Sequence, residues 1–440
     1  MLSNRIYRYI SSNSISNNNN NSKLIIQYFT TVTANLNLTD NNNNDIKEKQ
    51  QHKVSQKQKT KTIEIVDEEK KKVKTAILML NLGGPETLDD VEPFLTRLFS
   101  DRDIFKLPFQ NIAGPLIAKR RSFAVKKLYA SIGGGSPIKK WTDLQGKKIT
   151  DILDTISPET APHKHYIGFR YSDPLIDDAL KSMKEDQVER VVAFSQYPQY
   201  SCTTTGSSLN NLWKAIDSSN MEKEFKWSII DRWNKDTGFI NATKTMVQRA
   251  IENYNKQVEE KGLQYKKPVL VFSAHSLPMA TVEKGDPYPQ EIAETVGKVM
   301  EGLGNCVKDG KPFQYILAWQ SKVGPLPWLS PKTTVVIEKL AKENNNAIVI
   351  PIAFTSDHIE TLSEIDIELQ HTAKEAGMDL LIRSNALNDD PLIIDAMAQL
   401  VDRHLKSNKS IESTQYHLRC PGCKGDEYCR TIRNPILDDK

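Results

Sequence analysis

Ala347-Ile348-Val349-Ile350-Pro351-Ile352-Ala353-Phe354, followed at once by Thr355-Ser356-Asp357-His358-Ile359-Glu360, is the stretch that decides the fold class of this 440-residue chain. A short apolar run rich in Ile and Val, with no polar alternation, reads as a strand buried on both faces of a parallel sheet. Thr355-Ser356 reads as the turn out of it, and Asp357 as an N-cap with Glu360 three residues on, the pattern of a capping box. Open α/β sheets bind ligands beyond the carboxyl ends of their strands, so chemistry is expected at this junction. Glu360, Glu364 and Glu368 recur at every fourth residue, lining one helix face over about 12 Å. Like charges at that spacing repel by roughly 0.2–0.5 kcal/mol per pair. The stripe suits passage of a divalent cation or of protons; taken alone it reads more simply as a solvated acidic face with a capping box.

Working outward, apolar runs at residues 75–80, 191–194, 227–230, 269–272, 315–318 and 380–382 alternate with helical patterns. Val91, Phe94, Leu95, Leu98 and Phe99, for example, fall on one helix face. Short apolar strands separated by helices predict parallel sheets covered on both sides. The expected organisation is α/β: two doubly wound, Rossmann-like domains over residues 75–240 and 241–415, with a cleft between them and a C-terminal extension over 416–440.

Several runs end in reactive or aromatic residues. Residues 269–272 lead into Ser273-Ala274-His275-Ser276, residues 191–194 into Ser195-Gln196-Tyr197-Pro198-Gln199-Tyr200, and residues 315–318 into Trp319-Gln320-Ser321, with Trp328 beyond. His275 alone reads as a satisfied structural histidine; beside a second strand-end acidic cluster it becomes a candidate base or metal ligand. Gly83-Gly84-Pro85 and Gly133-Gly134-Gly135-Ser136-Pro137 lack the lysine and the spacing of phosphate loops. They read as close approach to a flat ligand or as tight turns. Residues 105–121, apolar, broken by Pro and Gly, and closing on Lys119-Arg120-Arg121, read either as a pocket lip that dips into an anionic membrane surface or as a segment packed on its own domain.

The first 74 residues stand apart. Asn17 to Asn21, Asn41 to Asn44 and the lysine- and glutamine-rich residues 47–74 hold too little apolar content for a core. Arg5, Arg8 and Lys23 precede the first acidic residue, Asp40, which is the composition of a mitochondrial transit peptide or of a plain Asn-rich tail. No run of 18 apolar residues exists to span a bilayer. A net charge of +4, carried in part by the lysine-rich linker, gives no argument for nucleic acid. Five cysteines, three of them near the C-terminus, do not form a secreted disulfide framework.

Asn81-Leu82-Gly83-Gly84-Pro85, Gly133 to Pro137, Gly168-Phe169-Arg170-Tyr171, Tyr197-Pro198-Gln199-Tyr200, Ser273-Ala274-His275-Ser276, Trp319 to Pro325 and Thr355 to Thr361 together resemble the ferrochelatase family across residues 75–430. The resemblance implies insertion of ferrous iron into protoporphyrin IX with release of two pyrrole protons, on a two-domain, chelatase-type Rossmann-like fold. It implies His275 as proton acceptor or metal-side ligand and Glu360 as its partner carboxylate, with Asp357 and His358 as orienting groups. Glu364 and Glu368 become a conduit for iron. Tyr129, Tyr197, Trp328 and Phe354 are expected to pack on the porphyrin, and Arg121, Ser136, Arg170 and Tyr171 to meet its edge and propionates.

Cys202, Cys420, Cys423 and Cys429 match the thiolates that hold a 2Fe-2S cluster in many mitochondrial relatives; the clustered cysteines alone suit zinc as well. Five residues separate Cys423 from Cys429, where animal members are expected to have four, and Cys306 has no place in this scheme. The resemblance further implies a homodimer, peripheral on the matrix side of the mitochondrial inner membrane, and no nucleic-acid partner. Three rivals remain at this point: an iron-sulfur redox protein, a porphyrin-binding module without turnover, and a chelatase acting on coproporphyrin or a cobalt tetrapyrrole.

Overall fold

Each apolar run becomes a parallel strand. In the computed structural model, which describes residues 73–102, 104, 107–304 and 311–412, β1 (Thr75–Asn81), β2 (His163–Phe169), β3 (Arg190–Ser195) and β4 (Lys226–Ile230) form one sheet in the order β2-β1-β3-β4. β5 (Val269–His275), β6 (Tyr315–Gln320), β7 (Ala347–Pro351) and β8 (Leu381–Arg383) form a second in the order β6-β5-β7-β8. All pairings within these sheets are parallel. The leader, Cys306, Cys420, Cys423 and Cys429 lie outside the described residues.

Helices cover both sheets, as buried parallel strands require. The expected helix at residue 91 is Val91–Ser100, burying Val91, Phe94, Leu95 and Phe99. Three expectations need correction. β2 was not among the anticipated strands; it opens His163-Lys164-His165, polar residues that an edge position tolerates. β7 stops at Pro351, so Ile352 to Phe354 belong to the turn. The boundary at residue 240 falls inside the helix Thr237–Glu260, whose buried face includes Phe239, Met246, Val247 and Tyr254.

The two sheets share a core. Ile77, Met79 and Phe194 from the first and Leu270, Phe272, Ile348 and Ile350 from the second belong to one apolar cluster. Each large side chain buried this way contributes about 1.5–3 kcal/mol, which fixes one sheet against the other. The chain also returns: Ile229 N–H donates to the Ser410 carbonyl and Glu412 N–H to the Ile229 carbonyl, so residues 410–412 cap the edge of β4. Within the expected second half, residues 410–412 thus reach back to the first sheet.

The glycine turns are tight turns packed on one another. Gly83 has φ +80°, and a Cβ there would run into Ser172 Oγ; one on Gly135 would strike the Glu86 carbonyl. Ser136 N–H donates to the Pro85 carbonyl at 2.7 Å, joining the two turns.

Candidate active site

His275 closes β5, and its position follows from strand register. Its Nδ1 lies 2.6 Å from the Ser276 carbonyl oxygen. A carbonyl only accepts, so Nδ1 carries the hydrogen and Nε2 keeps a lone pair. That Nε2 faces Glu360 Oε1 at 3.6 Å. His358 repeats the arrangement, with Nδ1 3.0 Å from the Ser356 carbonyl and Nε2 3.6 Å from Glu360 Oε2. Glu360 thus sits in the middle of a row, flanked by two imidazoles, each just beyond direct hydrogen-bond reach. Side-chain exposure falls along the row, from 36% at His275 to 18% at Glu360 and 14% at His358. Among the described residues no three such donors converge as a ready-made metal cage.

Electrostatics separate the carboxyls. Burial pushes Glu360 up, but His275 and His358 outweigh it and hold the group below its ordinary value. Burial pulls His358 down, and the facing Glu360 carboxylate reverses that, leaving it raised. Glu364 is different: burial first, then the Glu360 charge, push it up to about 7. One carboxyl is therefore kept anionic while its neighbour is poised near neutrality, the arrangement that divides acid from base roles. The stripe grades outward, with Glu360 and Glu364 half-buried and Glu368 exposed.

Asp357 is not the helix cap that its local pattern suggested. The short helix is Ile359–Leu362 with His358 at its cap, and the chain then widens into a π-turn, Glu364–Leu369. Asp357 Oδ1 accepts from Thr361 Oγ1 and from Arg383, and Oδ2 accepts from Asn388 Nδ2. Its carboxylate is engaged by these neighbours.

Of four supporting residues, Gln320 and Ser321 stood in a strand-end motif without a role of their own, and Arg383 and Asn388 were missed from sequence. Gln320, ending β6, donates from Nε2 to the Glu360 carbonyl at 2.9 Å and to Glu364 at 3.0 Å, while its Oε1 accepts from Ser273 Oγ at 2.6 Å. Ser321 Oγ donates to Glu364 at 2.6 Å. Arg383 and Asn388 hold Asp357. Gln320 and Arg383 each end a strand with a polar or charged residue, the one signal that pointed to them. Glu364 and Glu368 line a cavity of about 240 Å³ together with Trp319, Gln320, Ser321 and Lys332.

The aromatic expectations divide. Phe354 packs edge-on against His358 at 4.4 Å, and Trp328 stands 6.4 Å from the His275 ring. Tyr197 accepts from Leu82 N–H and donates to Asn81 Oδ1. Its hydroxyl is pushed up chiefly by burial and also by the charge of Glu360. Tyr129 is 4% and Tyr171 1% exposed, both packed with Phe94 and Phe99. Burial, then Glu360, raise the Tyr129 hydroxyl too.

The polar expectations are largely engaged by the protein. Arg170 bonds Asp101, Asn211 and Ser207. Arg121 lies exposed on the helix Gln110–Ser131, its guanidinium 5.6 Å from the Phe99 ring. Ser136 is held in the interlocked turns. Within residues 105–121, the expected lip, Phe109, Ile112 and Leu116 are at least 63% exposed, as is Phe123 just beyond it. Cys202 opens the π-turn Cys202–Gly206, half-buried, its N–H donating to Asp286.

Fold and site together define a two-sheet α/β protein with an imidazole-carboxylate centre at the carboxyl ends of its strands. The family model "Ferrochelatase" matches residues 74–405. The chain is 68% identical over 381 residues to the mitochondrial ferrochelatase of Dictyostelium discoideum, covering 84% of this chain and 90% of that protein. It is 49% identical over 371 residues to the mitochondrial ferrochelatase of Homo sapiens, covering 84% of each. The sirohydrochlorin chelatase SirB from Bacillus subtilis subspecies spizizenii, a solved structure, aligns at 12% identity over 76% of this chain and 98% of its own, with a TM-score of 0.40. This chain belongs to the ferrochelatase family, and it is an enzyme.

Proposed function

We propose that the row His275-Glu360-His358 is the centre at which iron enters the macrocycle, in an enzyme whose activity is insertion of ferrous iron into protoporphyrin to make heme. One observation carries the assignment. Two imidazole Nε2 lone pairs converge on the two oxygens of one carboxylate, an arrangement that seeks a proton or a cation between its members. Metallation replaces two N–H protons with one divalent ion, so the site must take up protons and hand over iron in the same place. His275 Nε2 faces outward from its carbonyl anchor and accepts a pyrrole proton. Glu360, kept anionic, stabilises the imidazolium so formed and presents iron. Glu364, its carboxyl pushed up to about 7, holds a cation less firmly than an ordinary carboxylate, which suits transfer rather than storage. Neutral imidazole and carboxylate oxygen both suit ferrous iron.

Trp328 and Phe354 supply flat apolar walls beside the two histidines, and Tyr197 lies near enough to Glu360 to feel its charge. The test is anaerobic turnover of the full chain with ferrous iron and protoporphyrin IX, followed by loss of porphyrin fluorescence. The expected result is insertion by the parent and its loss in His275→Ala and Glu360→Gln, with porphyrin binding retained. Near-normal turnover by His275→Ala would sink the assignment.

The protein is mitochondrial. Attachment on the matrix side of the inner membrane is our reading, supported by the exposed apolar side chains of the lip among Lys119, Arg120 and Lys127; no helix among the described residues is long and apolar enough to cross a bilayer. We read a 2Fe-2S cluster on Cys202, Cys420, Cys423 and Cys429 from the cysteine pattern, and a homodimer built around the C-terminal region from the family resemblance. Of the four cysteines only Cys202 is described. Bound, such a cluster would supply electron transfer or redox sensing, and no step of iron insertion is routed through it.

A further inference from the structure

The proton and metal handling assigned above depends on how the stripe of glutamates is aimed. The stripe rides on an irregular support, a single helical turn followed by the π-turn Glu364–Leu369. A π-turn carries one residue more than an α-turn and is rarely stable by itself. If it relaxed to α-helix, everything beyond it would swing by about one residue's rotation, roughly 100°. Something outside the segment must therefore hold it.

Arg383 does so from both sides. Its Nε and Nη2 grip Asp366, inside the π-turn, at 2.6 and 2.9 Å, a bidentate pair. Its Nη1 reaches Asp357, ahead of the turn, at 3.0 Å. Asp357 is anchored independently: Asn388 returns two bonds to it, Oδ1 accepting from Asp357 N–H and Nδ2 donating to Oδ2, both at 2.8 Å. Asn388 in turn receives Gln145 Nε2 on its carbonyl at 2.6 Å. The Arg383 side chain is 13% and that of Asp357 15% exposed, so solvent screens this link little.

We propose that Arg383 is a positioning residue for iron delivery: by bracketing Asp357 and Asp366 with one guanidinium it fixes the angle between Glu360 and the carboxylates behind it. The inference rests on the reading of Glu360, Glu364 and Glu368 as the iron path. Arg383 spends its guanidinium on Asp366, Asp357 and the Ser384 carbonyl, so it acts on the row only through these neighbours. Its loss is therefore felt in the use of iron, while the aromatic walls about His275 and His358 keep their hold on porphyrin. Lysine, a single point charge, cannot reproduce the three bonds.

The experiment is steady-state kinetics of the full chain with iron varied at saturating protoporphyrin IX and the reverse, on Arg383→Met, Arg383→Lys, Asp366→Asn and Glu364→Gln, with unfolding midpoints beside. Removing a group that orients metal ligands costs about 10- to 100-fold in metal affinity or activity. The expected result is a rise of that size in KM for iron in Arg383→Met and Asp366→Asn, partial recovery in Arg383→Lys, and an unchanged KM for porphyrin. Should Arg383→Met fail to fold, Asp366→Asn decides, because its side chain is 34% exposed and its loss leaves Asp357 paired. If Glu364→Gln raises KM for iron while Asp366→Asn and Arg383→Met do not, the role of Arg383 is wrong and the path survives. If Glu364→Gln leaves KM for iron unmoved, the path reading falls and the inference with it. Equal losses for both substrates tracking a lower unfolding midpoint would reduce Arg383 to a structural residue.

Discussion

Replacing Glu364 by Gln should stabilise the iron-free protein at alkaline pH and leave it unchanged in acid. Burial and the Glu360 charge push the Glu364 carboxyl up to about 7 from its ordinary 4.5. At about 1.4 kcal/mol per tenfold change in proton affinity, that gap corresponds to a cost of up to about 3 kcal/mol for ionising the group in the folded state. Below 4.5 the carboxyl is protonated in both folded and unfolded chains, and the stability it confers is fully present. As pH rises through 7 the unfolded chain has already released the proton, the folded one must follow, and that contribution is lost. Glutamine keeps the shape, and its amide oxygen can accept from Gln320 and Ser321 as Glu364 does, but it never ionises. Urea unfolding at 25 °C, with chelator present, would compare the two proteins at pH 5 and pH 8. A gain of about 1–3 kcal/mol at pH 8 that shrinks toward zero at pH 5 is expected. An equal difference at both pH values would refute the electrostatic account of this carboxyl.

Arg170→Met should destabilise the fold by about 3–5 kcal/mol, because it removes the counter-charge of the nearly buried Asp101 carboxylate and leaves that charge to neutral donors such as Tyr171 and Ser207. Asp101→Asn in the same chain should recover part of that; weakened porphyrin binding with unchanged unfolding would instead restore Arg170 to the propionates. Leu116→Asp with Phe123→Asp should abolish co-sedimentation with anionic vesicles and change stability by less than about 0.5 kcal/mol per site, as exposed positions do. Undiminished vesicle binding would remove the lip from the membrane. Protein purified from iron-replete cells should be reddish brown, and Cys423→Ser colourless with heme-forming activity measured in parallel; a colourless, zinc-containing parent would end the cluster proposal.

The parallel sheets were legible because β1, β3, β5 and β7 are central strands, and burial on both faces leaves an uninterrupted apolar run in each. β2 escaped because an edge strand can begin with His163, Lys164 and His165. His275, His358 and Glu360 were readable as residues at strand ends, since topology alone delivers them to one edge. What holds them was not. Asp357 with Glu360 fits a capping box locally, yet Arg383 and Asn388, distant in sequence, claim the carboxylate, and local pattern has no access to such partners. Tyr171 and Arg170 illustrate the converse: motif membership marked them for substrate, while packing and ion pairing explain both without one.

The two sheets carry the same strand order, so β1 and β5 occupy matching places, and each is seven residues long. One ends in Asn81 and the other in His275. Asn81 is occupied with neutral bonds to Leu82 and Tyr197, whereas His275 keeps a lone pair for chemistry. A scaffold of two like halves lets one copy lose its reactivity without loss of architecture. Under the proposed assignment, the two matching halves divide the labour: the ion is handled at the end of β5, and the end of β1 is free to serve packing alone.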